Sequence, residues 1–115
     1  MSLMSTPIAL AEIEGVARQI AQRFVPDRVI LFGSYACGKP HESSDVDLLV
    51  VMETDEPPLH TAARIAAGID HPFPLDIVVW RPSDLEASLK RKGVFATQVA
   101  SEGVVLYEAR DHRVG

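Results

Sequence analysis

A small α/β domain built on one mixed β-sheet is the fold class this sequence predicts, and three observations predict it. Short β-branched runs alternate with helical periodicities, the 115 residues suffice for a single core, and 47% hydrophobic with 23% charged residues is a globular composition. A chain of this size buries roughly 65% of its unfolded surface. That excludes a multidomain enzyme, a TIM barrel, or a dinucleotide-binding domain with its own substrate domain.

The elements follow in order. Residues 1–4, with Met1 and Met4 at their ends, are set aside as an expression leader or unstructured start; residues 5–110 are taken as the single domain and 111–115 as a polar tail. Ser5-Thr6-Pro7 reads as a helix start, with Ile8, Ala11, Ile13, Val16, Ile20 and Phe24 at helical spacing and Pro26 as the stop. Val29-Ile30-Leu31-Phe32 is a strand that closes at Gly33-Ser34, and Tyr35 to Cys37 is one helical turn before Gly38. Asp45 to Met52 is a second strand, apolar on both faces after its carboxylates and therefore central in the sheet. Pro57-Pro58 starts a helix that runs through Ala62, Ile65 and Ile69, with Gly68 near its end. Pro74 to Trp80 is a third strand. Ser83 reads as the N-cap of a helix over Asp84 to Lys92, with Glu86 at the capping-box position. A helix over Val94 to Ser101 and a strand over Val104 to Tyr107 complete the domain.

Charge and cysteine usage bound the function. Sixteen acidic against eleven basic residues give a net charge of -5, which argues against direct nucleic-acid binding. The single cysteine, Cys37, excludes an internal disulfide framework and a Cys-rich zinc site, and fits a cytoplasmic location. No signal peptide is read, and no apolar run approaches the ~20 residues of a membrane span.

The informative stretch is Gly33-Ser34, then ten residues, then Asp45-Val46-Asp47, with Asp76 in the later strand Leu75-Asp76-Ile77-Val78-Val79. Residues two apart on a strand share a face, roughly 6.5–7 Å from each other, and neighbouring strands lie about 4.8 Å apart. Asp45, Asp47 and Asp76 are thereby expected to converge. Three carboxylates so close repel unless protons or cations neutralise them. Hard divalent cations, Mg²⁺ in particular, are the natural partners, and a pair of them suits phosphoryl or nucleotidyl transfer. The bland alternative, Asp as a turn or capping residue, fits a lone Asp-x-Asp but not the repetition in a second apolar strand.

Gly33 permits close approach of a phosphate, and Ser34 is read as the cap of the next helical turn. Gly33-x-x-x-x-Gly38-Lys39 also matches most of a Walker A loop. Pro40 then stands where that motif needs Ser or Thr, so a P-loop is excluded.

With these residues in view, the chain resembles the minimal nucleotidyltransferases of the DNA polymerase β superfamily. Gly33-Ser34-x10-Asp45-x-Asp47 has that family's spacing, and the Leu31-Phe32 lead-in, the Ser44-to-Val50 strand and the closing Glu102-to-Tyr107 segment are similar as well. The resemblance spans about Ile8 to Glu108. It implies a polymerase-beta-like nucleotidyltransferase fold and transfer of AMP from ATP to a hydroxyl with release of pyrophosphate. It assigns Asp45, Asp47 and Asp76 to two Mg²⁺ ions and to catalysis, Asp76 helping to activate the acceptor, and Gly33 and Ser34 to the nucleotide. It also implies an antitoxin role, with adenylylation of a HEPN-domain toxin partner. The chain departs from the family in one place: Cys37 stands where Arg is common, with Lys39 the nearest substitute. The rival reading is a vestigial site whose protein neutralises its partner by covering it. Transfer to a small molecule, as in antibiotic-modifying relatives, is disfavoured for want of a drug-binding domain. So little chain remains beyond the sheet and its helices that a partner, or a second copy in a homo-oligomer, is expected to supply part of the binding surface.

The remaining candidates read as structural. Cys37 has no Cys-His constellation and is taken as a turn residue; His41, His60, His71 and His112 lack metal-ligand spacing, His41 alone lying near the carboxylates in sequence. Tyr35 and Trp80 are expected to pack, and Lys90-Arg91-Lys92 to form a solvated helix end.

Overall fold

The computed structural model describes residues 8–40 and 44–109. Its first element, α1 (Leu10–Phe24), buries Ile13, Val16, Ala17 and Ile20, the i, i+3, i+4, i+7 stripe a helix lays on a sheet. The expected start at Ser5-Thr6-Pro7 lies outside the described residues, as do the leader, the tail, His41 and His112. Ile8 does not join the helix; its N–H donates to Tyr35 Oη at 3.1 Å, and the helix opens from Ala9 without a side-chain cap. At the other end Val25 takes φ 48° and its N–H donates to the Ala21 carbonyl. Pro26 enforces this stop, because the residue before a proline is turned away from right-handed helix.

There follow β1 (Arg28–Phe32), the one-turn α2 (Ser34–Cys37), β2 (Val46–Val51), α3 (Pro58–Ala67), β3 (Leu75–Trp80), α4 (Pro82–Lys90), α5 (Val94–Glu102) and β4 (Val104–Glu108). The predicted order holds, including the turn after Gly33. Local expectations are corrected at several boundaries: α3 stops at Ala67, short of Ile69, and α4 at Lys90, short of Lys92. Asp45 precedes β2 instead of opening it. Ser83 lies inside α4, whose cap position is Arg81 and whose first residue is Pro82. Proline's fixed φ and missing N–H suit the first helical position, and they outcompete the capping box read from Ser83 and Glu86.

The sheet has the order β3-β2-β1-β4. β1 runs antiparallel to both β2 and β4, with a register shift against β4 between Val29 and Ile30. β2 and β3 are parallel, and α3 makes the crossover such a pair requires. Burial on both faces explains the apolar run Leu48–Val51 of β2. Val46, Leu48 and Val50 pack with α1 and α3 through Ile13, Ile20 and Ile65, while Leu49 and Val51 pack with α4 and α5 through Leu85, Ala96 and Val99. Among the described residues no helix is long and apolar enough to cross a membrane.

Candidate functional site

The parallel register of β2 and β3 sets Asp47 directly opposite Asp76, and the antiparallel register of β1 and β2 sets Phe32 opposite Asp47. One end of the sheet therefore carries the row Phe32–Asp47–Asp76. Alternation along each strand puts Asp47 on the face of Leu49 and Val51, and Asp76 on the face of Val78 and Trp80; these four belong to the α4–α5 side. The two aspartates thus share a face, and Asp45 approaches the same end of the sheet from the segment before β2.

Asp47 is half-buried, whereas Asp45 and Asp76 are exposed. Loss of water raises the Asp47 carboxyl above its ordinary value, and the charges of Asp76 and then Asp45 raise it further. Asp47 therefore feels the charges of both other aspartates. Among the described residues, however, no three His, Cys, Asp or Glu side chains are gathered closely enough to form a ready metal cage. The charges of Asp76 and Asp45 repel that of Asp47. An all-oxygen anionic set whose central member is pushed toward its neutral form fits a hard divalent cation, which would relieve that repulsion.

Gly33 is the structural reason Asp47 sits where it does. Its φ of 78° and ψ of -156° lie in a region open essentially to glycine alone. A Cβ at this position would overlap Asp47 Oδ2 and stand 3.2 Å from Cγ and 3.4 Å from Cβ of the same side chain. Beyond it, the N–H groups of Ala36 and Cys37 donate to the Gly33 carbonyl at 3.0 and 3.1 Å, and that of Lys39 to the Ser34 carbonyl at 3.0 Å. Gly33, not Ser34, holds the cap position; Ser34 is the first helical residue, and no side chain caps the turn. The helix closes at Cys37 with Gly38 left-handed, so nothing here resembles the long helix of a P-loop.

The other sequence candidates fall away from this row. The exposed Cys37 thiol donates to Glu102 Oε1 at 3.4 Å, and that bond chiefly, with burial and the Glu102 charge after it, pushes the thiol's pKa up, opposite to what a nucleophile needs. Tyr35 packs on the α1–α3 side. His71 meets the Phe73 carbonyl at 3.4 Å, His60 is exposed, and Lys90 to Lys92 form an exposed helix end. Trp80 is half-buried against α5: the Phe95 ring lies 5.5 Å from it and 5.2 Å from Phe32, edge-on to the latter.

Sequence reading missed three features of this region. The Gly33–Asp47 approach and the Cys37–Glu102 contact join residues far apart in the chain, and no local pattern encodes them. The Phe32–Phe95–Trp80 cluster had a signal, three aromatics on elements flanking the carboxylates, that periodicity alone does not connect.

Comparison with known proteins bears on the same region. The family model for Polymerase beta, Nucleotidyltransferase matches residues 16–112. Among solved structures, a protein from Sulfolobus solfataricus described as a candidate nucleotidyltransferase is 20% identical over 86% of this chain and 79% of its own, with a TM-score of 0.58. A chain in a toxin–antitoxin structure with AMP-PNP is 23% identical over 86% of this chain and 76% of its own, TM-score 0.56. A chain in a mutant of the toxin–antitoxin pair MntA–HpeT is 20% identical over the same shares, TM-score 0.54. At these identities the likeness is one of fold. None of the curated proteins compared matches the chain.

Proposed function

As this chain belongs to the Polymerase beta nucleotidyltransferase family, we propose that it transfers AMP from ATP to a hydroxyl of a protein partner, a HEPN-domain toxin, and so acts as an antitoxin. One observation carries the reading: Asp47 and Asp76 are register partners on parallel strands, with the Gly33 turn pressed against Asp47. The toxin–antitoxin origin of two structures sharing the fold, one with AMP-PNP, supports an adenine nucleotide and a toxin as partner.

In this reading Gly33 and Ser34 receive the triphosphate, because a side chain at Gly33 would fill the approach to Asp47. Asp45, Asp47 and Asp76 would hold two Mg²⁺ ions, which when bound supply charge neutralisation at the phosphates and a more acidic acceptor hydroxyl. Asp76, exposed beside Asp47, takes the proton of that hydroxyl as its oxygen bonds to the α-phosphorus. The bond from the α-phosphorus to the bridging oxygen breaks, and pyrophosphate leaves. Phe32 and the aromatics behind it keep water from one flank of Asp47.

A second reading has one observation in its favour, the thiol of Cys37 where the family the chain resembles commonly has Arg. On that reading the protein silences its partner by binding alone. Incubating the protein and its neighbour-encoded partner with ATP and Mg²⁺, then weighing the partner by intact mass spectrometry, separates the two. The proposal expects an AMP-sized gain that vanishes in Asp45→Ala and Asp47→Ala; unmodified partner in a stable complex supports the second reading.

A further inference from the structure

The outward face of α5 is uncharged from Val94 to Ser101 and ends at Glu102, the last residue of the helix. Val94, Thr97, Gln98 and Ser101 recur at i, i+3, i+4 and i+7 and are all exposed, Val94 at 85%. The stripe continues into an open groove of about 970 Å³ bounded by Leu89, 39% exposed, and Ala100, with Lys92 at one end and Glu102 at the other. In a chain of net charge -5, a solvent-facing helix side without a charge for two turns is unusual. Its ends carry opposite signs: Lys90, Arg91 and Lys92 precede α5, and Glu102 closes it.

We infer that this face binds a second copy of the chain, the two α5 helices lying antiparallel about a two-fold axis at Thr97. Thr97 stands midway between Lys92 and Glu102, so that axis sets Lys92 of each copy against Glu102 of the other and Val94 against Ala100. A two-fold interface must be self-complementary, and a helix side with a cation at its start, an anion at its end and a neutral middle satisfies that requirement by itself. The cations of residues 90–92 also meet the negative C-terminal end of the opposite α5. Glu102 stays within reach of both roles: its bonds from Cys37 Sγ at 3.4 Å and Gln98 Nε2 at 3.5 Å are long and both fall on Oε1. A nine-residue helix offers less than the ~800 Å² per partner of a standard interface. The dimer is therefore a weak one, with Kd in the range of about 10 μM to 1 mM.

Sedimentation equilibrium of the full chain from 10 μM to 2 mM tests this. The expected result is a monomer–dimer equilibrium within that range. Lys92→Glu and Glu102→Lys each weaken it about tenfold or more, since each sets like charges in contact twice. The double variant K92E/E102K recovers it, because the swap restores both pairs. All the altered side chains are exposed, and far-UV circular dichroism verifies the fold of each variant. Monomer mass throughout the range overturns the inference, as does a dimer indifferent to the single reversals, or one that the double variant fails to restore.

Discussion

Replacing Gly33 by alanine separates two costs that the structure places on one residue. The first is backbone strain: φ 78° with ψ -156° is a conformation that costs a non-glycine residue roughly 1–3 kcal/mol. The second is collision with Asp47, whose carboxylate must turn away from the new Cβ at about 0.5–1.5 kcal/mol for an off-rotamer side chain. Gly33→Ala is therefore expected to lose about 2–4 kcal/mol, near 4 °C of Tm per kcal/mol for a domain of this length. Gly38→Ala is the matched control: it too has a positive φ, 76°, but nothing lies within 4 Å of the added Cβ, so it carries strain alone, about 1–2 kcal/mol. Urea unfolding of both variants measures the difference. A double-mutant cycle with Asp47→Ala isolates the collision, because that change removes the carboxylate while the Cβ contact at 3.4 Å is ordinary. Nucleotide transfer should fall in Gly33→Ala and persist in Gly38→Ala. If Gly33→Ala costs no more than Gly38→Ala, and the cycle shows no coupling, the claim that Gly33 positions Asp47 is wrong.

Three further outcomes are expected. Asp76→Asn removes one of the charges that raise the Asp47 carboxyl, so NMR titration should find that carboxyl lower than in the parent though still above its ordinary value, burial being unchanged. The Arg64 guanidinium, with Thr61 Oγ1 donating at 3.0 Å, holds Glu56 below its ordinary range despite some desolvation. A depressed carboxyl contributes stability above its unfolded pKa and loses it as pH falls through the folded value, so Glu56→Gln should flatten the acid limb of urea stability below about pH 4.5 and leave its shape at pH 7 unchanged. Phe95→Ala removes the ring between Phe32 and Trp80; a loss of about 2–4 kcal/mol in urea and a red-shifted Trp80 emission are expected.

How much of this was legible in the sequence depends on the range of the interaction concerned. The buried stripe of α1 and the two-faced burial of β2 follow from periodicity, and Asp47 and Asp76 announced themselves as charges inside apolar strands. Local competition misled at the boundaries: Pro82 displaced Ser83 from the helix cap, and Gly33 rather than Ser34 took the cap of α2, each because backbone geometry outweighed a side-chain hydrogen bond. Asp45 fell outside β2 because pairing with β3 starts at Val46, opposite Leu75. The register that sets Asp47 against Asp76, and the contact of Cys37 with Glu102, depend on how distant segments meet, which no window of sequence contains.

The pairing of β1 with β4 bears on how the molecule is made. Arg28 to Phe32 are synthesised early, yet their outer hydrogen-bonding edge is satisfied only by Val104 to Glu108. On the ribosome, β1, β2 and β3 can assemble while β4 is still in the exit tunnel, leaving a nascent three-stranded sheet with an open side. During that interval the chain is most exposed to strand capture by a neighbour, and emergence of β4 from the tunnel is what ends the hazard.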